Sequence, residues 1–300
     1  MKTYIRVATL ALSALLQTQC TPASTAPSAS TPSLDEQPLA QAQQSLVTVD
    51  SSNLFEVPSA GLPENRLTFS AFSNANISRN LIQTSEPFTL ADAWGSRTRW
   101  ASGNWAYEVD ASKGQLLALK QTPNGEPAPQ DEQRLANLAL ARLNAFGIPR
   151  EEIGPILQRQ LFTDEMDETG QHGSPELFNY KTFFFRAING IRVAGHRAVV
   201  THDLDGTSYR MLVSWPVLAS SGHLLHTRLS RTQIEERALK ALAEEGVTSG
   251  EAVLEWRYYP TTMSTGEVAL TLQVEARVPA PPSTEGSEPL VVVVNVDPLP

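Results

Sequence analysis

The sequence is short of cysteine: among 300 residues only Cys20 is one. No disulfide can form within the chain, so its fold has to be held by its own core. Long apolar runs are equally scarce. The most extended, Val7–Leu16, has about ten residues, half of the roughly 20 that a membrane-spanning helix needs, and "PLVVVVNV" near the end is strand-sized. Basic residues are outnumbered, 23 Lys and Arg against 32 Asp and Glu, for a formal charge of −9. An acidic body without a basic stripe repels phosphate backbones, so nucleic-acid binding is not expected. Catalytic motifs are missing as well: there is no G-x-S-x-G, no H-E-x-x-H and no glycine-rich phosphate loop of Walker or Rossmann type. No cofactor is expected.

What is present begins with a leader. Lys2 and Arg6 precede the short apolar run, which together read as a secretory signal over residues 1–20. Cys20 stands directly after that run, where a bacterial lipoprotein signal places its lipid-modified cysteine, although Gln17 and Gln19 occupy positions where such a signal has Leu and a small residue. Ordinary cleavage is the alternative. Residues 21–45, "TPASTAPSASTPSLDEQPLAQAQQS", are almost entirely Thr, Pro, Ala, Ser and Gln. Such a composition buries too little apolar surface to offset its ordering entropy, so a disordered linker is expected. The expected location is the cell envelope through a lipid anchor, or the periplasm or exterior without one. Apart from that anchor no membrane contact is expected.

Two helices stand out in the rest. In 129–149, Leu135, Leu138, Ala139, Leu143 and Phe146 recur at helical spacing, Asp131 and Glu132 favour the N-terminal end, and Gly147 with Pro149 marks the stop. In 229–246, Ser230 and Gln233 form a capping box, Leu229 and Ile234 a hydrophobic staple, and Gly246 a left-handed cap. Its apolar stripe is Ile234, Ala238, Ala241 and Leu242. Strand and turn account for nearly everything else. Trp105, Tyr107 and Val109 alternate, turn near Gly114 and return through Leu117 and Leu119. Asn189-Gly190 is a type I′ hairpin signal, because both central positions need positive φ, and Asp205-Gly206 marks a second turn. Strands are also expected over 252–260, 267–279 and 289–296.

The fold class is therefore α+β: antiparallel meanders, each packed on a helix. The expected segments are a β-rich region at 46–128, a helix and meander at 129–228, and a helix with three strands at 229–300. Two tandem units is one reading of that order and a single larger domain the other.

Candidate site residues were weighed against this frame. His196 and His202 lie six apart on one strand, on the same face but about 20 Å from each other, too far to share a metal whose ligands sit near 2.0 to 2.1 Å; a solvent-facing position is expected for both. His223 and His226 have no further ligands at matching spacing. The acidic stretch 163–174 lacks the spacing of a calcium loop. No metal site or catalytic residue is proposed. Among the five tryptophans most are expected in the core, and Trp256, Tyr258 and Tyr259 are the candidate exposed patch for a partner.

Residues 183–216 carry one further signal. An aromatic strand runs into Asn189-Gly190, then Ile191, Val193 and Gly195, a second strand, Asp205-Gly206, and a strand ending in Trp215. This order resembles the PepSY and FTP-type modules of thermolysin-like and fungalysin-like propeptides, on the residues Phe183, Phe185, Asn189, Gly190, Ile191, Val193, Gly195, Asp205 and Gly206. The resemblance implies a cystatin-like sheet wrapped on a helix, no catalytic residues, and a binding, inhibitory or chaperoning role towards a protein partner such as a peptidase or envelope protein. The leading expectation is thus an exported, non-enzymatic protein-binding module. A periplasmic carrier of a small ligand and a hydrolase with an unrecognised site are the alternatives.

Overall fold

The computed structural model describes residues 46–70, 72–121, 128, 130–163, 173–279 and 289–296. The expected signal, Cys20, the linker and most of the acidic stretch 163–174 lie outside these residues. In chain order the elements are β1 (Leu46–Asp50), β2 (Leu62–Thr68), a short α1 (Asn74–Asn76) running into a π-helical turn (Ile77–Ile82), β3 (Thr89–Trp94), β4 (Arg97–Ala101), β5 (Trp105–Asp110) and β6 (Gln115–Lys120). Then come α2 (Glu132–Phe146), a 3-10 turn (Arg150–Glu152), β7 (Ile153–Thr163), β8 (Glu176–Ile188), β9 (Ile191–His202), β10 (Ser208–Ser214) and β11 (Val217–Leu225). The chain closes with α3 (Arg231–Glu244), β12 (Ser249–Thr262), β13 (Val268–Val278) and β14 (Leu290–Asn295). Strands hold 52% and helices 18%, so the protein is α+β by class but mainly sheet.

Local chemistry sets the helix ends. The Asp131 side chain accepts from the Arg134 N–H, and Gly147 at φ 107 closes α2 with its N–H on the Asn144 and Leu143 carbonyls. Both bonds of the capping box at Ser230 and Gln233 are made, and Gly246 follows α3 at φ 79. Asn189 and Gly190 have φ 52 and 79, as a type I′ turn requires. The Asp205-Gly206 turn is of another kind: Gly206 donates to the Asp203 carbonyl and Asp203 to that of Thr207, a five-residue connection in which Gly206 alone takes positive φ.

β7-β8-β9-β10-β6-β5-β4-β3 form an all-antiparallel run. The second part departs from a simple meander: β12 pairs antiparallel with β13 but parallel with β1 and, at Arg257 and Tyr258, parallel with β9. β13 is long enough to hold β14 along one stretch and β2 along another, and β2 in turn pairs with β11.

Two apolar cores result. One gathers α2 (Ala139, Leu143, Phe146), the π-helical turn (Ile77, Leu81, Ile82) and β5, β6, β8, β9 and β10. The other gathers α3 (Ile234, Ala238, Leu242) with β12 and β13, and it also takes in Val47 of β1, Leu62 and Leu67 of β2 and Leu218 of β11. Strands from the region 46–128 and from the end of 129–228 thus complete the core of the last segment. Leu138, expected on the core face of α2, is 49% exposed, and Ala136 is buried instead.

Both cores lie on one face of the sheet. Along β8, the alternate residues Phe184 and Ile188 belong to the first and second core, with Arg186 between them. On β9 the same result needs a bulge. Phe185 pairs with Arg197 but Ala187 with Arg192, so Arg186 alone stands opposite residues 193–196. That odd shift reverses the alternation, so Ile191 and Val193 reach the second core while Ala198 and Val200 reach the first. Gly195, at φ 75, sits inside the bulge.

Candidate functional site

The aromatic triplet of β12 does not form an exposed patch. Strand alternation sends Trp256 and Tyr258 to one face and Tyr259 to the other. Trp256 and Tyr258 are 6% and 0% exposed within the second core, and the Trp256 Nε1–H donates to the Phe55 carbonyl at 3.0 Å. The Tyr259 hydroxyl donates to Glu275 Oε1 at 2.7 Å; burial, and then the Glu275 carboxylate, push its phenol well above the ordinary range. Trp256 and Tyr259 thus have polar partners, while Tyr258 is packed in the core.

The histidines of β9 share a face as expected, but they are buried rather than solvent-facing, because that face is the one α2 covers. His196 lies 3.4 Å from Arg186 Nη1, and His202 lies near Arg142. Burial, and then the neighbouring arginine, lower each imidazole to about 4, so both are neutral at pH 7. Among the described residues no three His, Cys, Asp or Glu side chains gather in a geometry that could hold a metal, and no helix is long and apolar enough to cross a membrane.

What the structure assembles instead is an open edge beside a sheet face that no helix covers among the described residues. β7 pairs only with β8, so its other edge is unoccupied by strand among the described residues. Gln158 and Gln160 point towards α2 and donate to the Glu132 carbonyl and side chain. By alternation Leu157, Arg159 and Leu161 point to the opposite face, away from the helices. Register then builds rows across that face. One row runs Leu157, Phe183, Val199, Leu212 and Leu117. The next runs Arg159, Lys181, Thr201 and Arg210. Burial, and then Arg210, lower the Lys181 ammonium, which places Lys181 and Arg210 within each other's field. Among the described residues none of the three takes part in an ion pair. Phe183 and Phe185 stack at 6.3 Å, and Arg192 covers Phe185 at 4.2 Å. Ile156, Leu157 and Phe162 of β7 and Phe178 of β8 are exposed.

A second feature lies on the helix side, at the seam between the cores. Arg186 is 1% exposed, and its Nη2 meets Glu152 Oε2 at 2.6 Å. Its Nη1 donates to the Pro216 carbonyl at 2.7 Å, and its guanidinium lies 5.3 Å from the Trp215 ring. The Trp215 Nε1–H donates to the same Glu152 oxygen at 2.9 Å. Beside this network is a cavity of about 430 Å³ walled by Phe72, Phe146, Ile148 and Trp215, with Arg186 and Glu152 as its charged members.

Neither the cation row nor Arg186 was singled out from the sequence. The signal for Arg186 was there: it falls two residues from Phe184 and two from Ile188, a charge inside an apolar alternation. The cation row has no local signal, because Arg159, Lys181 and Arg210 meet only through strand register.

Fold and surface together define a mainly-sheet α+β protein with two helix-covered cores on one face of the sheet. No family model matches the chain and no curated protein matches it. Among solved structures, the chain is similar to an uncharacterized protein from Eubacterium rectale, at 11% identity over 83% of this chain and 87% of that one, with a TM-score of 0.48. It is also similar to the C-terminal domain of YpeB from Bacillus megaterium, at 12% identity over 76% of this chain and 94% of that one, with a TM-score of 0.35.

Proposed function

We propose that this chain is an exported, non-enzymatic protein of PepSY-like build that binds another protein by taking an extended segment of it onto β7. The observation that carries the reading is the free edge of β7, 11 residues long, bordered by an apolar row and a row of three cations. An edge strand offers unpaired backbone N–H and C=O groups, and an added strand satisfies them while its alternate side chains meet the neighbouring rows. Beside Leu157, Arg159 and Leu161, the complementary pattern is apolar, any, acidic, any, apolar. The acidic residue matters most, since the cations stand out on a chain of net charge −9. A peptidase or an envelope protein carrying such a segment is the partner class that the family resemblance implies.

The test selects peptides from a random display library on the full chain and follows hydrogen exchange. Selected peptides that alternate apolar and acidic residues, protect the β7 amides and bind about tenfold more weakly to the Arg159→Glu, Lys181→Glu double variant support the reading; exposed charge pairs contribute about 0.2–1 kcal/mol each. Peptides that protect another segment, or that ignore the double variant, overturn it. The small-ligand carrier draws on the seam cavity, whose volume lies in the range of small-molecule sites. A small molecule retained in native mass spectrometry, with no peptide selected, favours the carrier over the edge.

A further inference from the structure

A cleft of about 600 Å³ opens on the other side of α2 from the seam, between that helix, the end of the π-helical turn, the start of β5 and the β9–β10 turn. Arg142 lines it. Its Nη2 donates to Gln83 Oε1 at 3.0 Å and its Nη1 lies 3.7 Å from Met211 Sδ; among the described residues no carboxylate pairs with it. Two neutral groups therefore hold a guanidinium in place, and no described carboxylate compensates its charge. Gln83 does so from a left-handed backbone, φ 61, which a non-glycine residue adopts at a cost and which concentrates at functional sites.

His202 is the second, independent observation. It lines the same cleft, is 1% exposed, and its Nδ1 has no hydrogen-bond partner. A buried, unsatisfied ring nitrogen carries a desolvation cost that a ligand group would relieve. A neutral imidazole beside an unpaired guanidinium can donate or accept while the arginine carries the charge. The one described carboxylate of the cleft, Glu86, is already engaged: it accepts from the Ser102 hydroxyl at 2.7 Å and from the Asn104 backbone and side chain at 3.0 and 2.6 Å. Trp105 and the half-exposed Leu138 add apolar wall.

We propose that this cleft binds a small organic molecule carrying an oxyanion, a carboxylate or phosphate, with the oxyanion on Arg142, a polar group on His202 and an apolar body against Trp105 and Leu138. A planar guanidinium takes either oxyanion through paired N–H donors, and the volume exceeds what a bare ion fills. This site is independent of the β7 edge, which lies on the opposite face of the sheet.

The test titrates the full chain at pH 7.5 and low salt with benzoate, phenyl phosphate, succinate and inorganic phosphate, following calorimetric heat and thermal midpoint. Benzoate or phenyl phosphate should bind, and whichever binds more tightly identifies the headgroup. Arg142→Gln should weaken that binding at least tenfold and Arg142→Lys by less. Leu138→Glu keeps the fold, because the side chain is half-exposed, and should abolish binding by placing a negative charge on the wall. The proposal is overturned if neither aromatic probe binds more tightly than about 10 mM, or if Arg142→Gln and Leu138→Glu, folded by circular dichroism, bind as the unaltered chain does.

Discussion

Removing the Glu152 carboxylate should destabilise the protein through a residue on another strand. Arg186 is almost fully buried and Glu152 Oε2 is its ion-pair partner at 2.6 Å. In Glu152→Ala the guanidinium keeps the Pro216 carbonyl and the Trp215 ring but loses its counter-charge, and the Trp215 indole loses its acceptor. Breaking a buried pair costs about 3–5 kcal/mol, and since Glu152 is partly solvated we expect the low end, about 3 kcal/mol. Arg186→Met removes the charge together with the cost of burying it, so a loss of about 2 kcal/mol is expected from the severed bonds and ring contact. The double variant has neither charge left to strand and should lose about 2–3 kcal/mol, well short of the sum of the singles. Urea unfolding followed by tryptophan fluorescence and far-UV circular dichroism measures this cycle. With a slope of about 2–3 kcal/mol per molar, Glu152→Ala should lower the midpoint by about 1 M or more. Singles that add to within about 0.5 kcal/mol would refute the coupling.

Two further predictions concern the histidines and the anchor. His196 and His202 titrate near 4 in the fold against 6.5 when free, so between those values the unfolded chain binds more protons and stability falls as pH falls, by on the order of 2–3 kcal/mol per histidine across the window. Above pH 6.5 the contribution is complete, and Asp110, lowered to about 2 by hydrogen bonds from Ser112, Ser96 and Arg97 that outweigh its burial, adds its own loss only below its free value of 3.8. Urea midpoints from pH 7 to 4.5 should therefore decline, and His202→Phe should flatten the decline; level midpoints contradict the burial argument. Lipidation at Cys20 predicts that Cys20→Ser moves the protein from the membrane to the soluble fraction of expressing cells, and unchanged partitioning rules that lipidation out.

Much of the fold was legible because its punctuation is local. The capping box of α3, the left-handed glycines after both helices and the Asn189-Gly190 turn each depend on residues within five positions of one another, and each formed as read. Leu138 shows where periodicity stops informing: it shares the spacing of Leu135 and Leu143, but a cleft rather than the sheet lies under it. Trp256 and Tyr258 show a related limit. Aromatic residues fit a binding surface and a core equally well, and only the arrival of β2, β13 and α3 around β12 decides between them. The partnership of β1 with β12, across some 200 residues of chain, leaves no trace in either segment alone.

The opposite surface follows from the same reasoning as the buried seam. A strand that alternates regularly can serve one covered face only if the helices that cover it lie on the same side. On β9 regular alternation would send Ile191 and Val193 to one side and Ala198 and Val200 to the other, separating α2 from α3 across the sheet. The bulge at 193–196 reverses the parity once, which brings both helices to one face and leaves the other without a helix among the described residues. Its cost is local: four residues of β9 stand opposite Arg186 alone, and the ladder between β8 and β9 is interrupted there. Arg186 spans this gap, tying the β10–β11 corner at Pro216 to the turn before β7 at Glu152. The seam that makes one continuous sheet from two cores is thus also what sets Arg159, Lys181 and Arg210 on the face away from the helices.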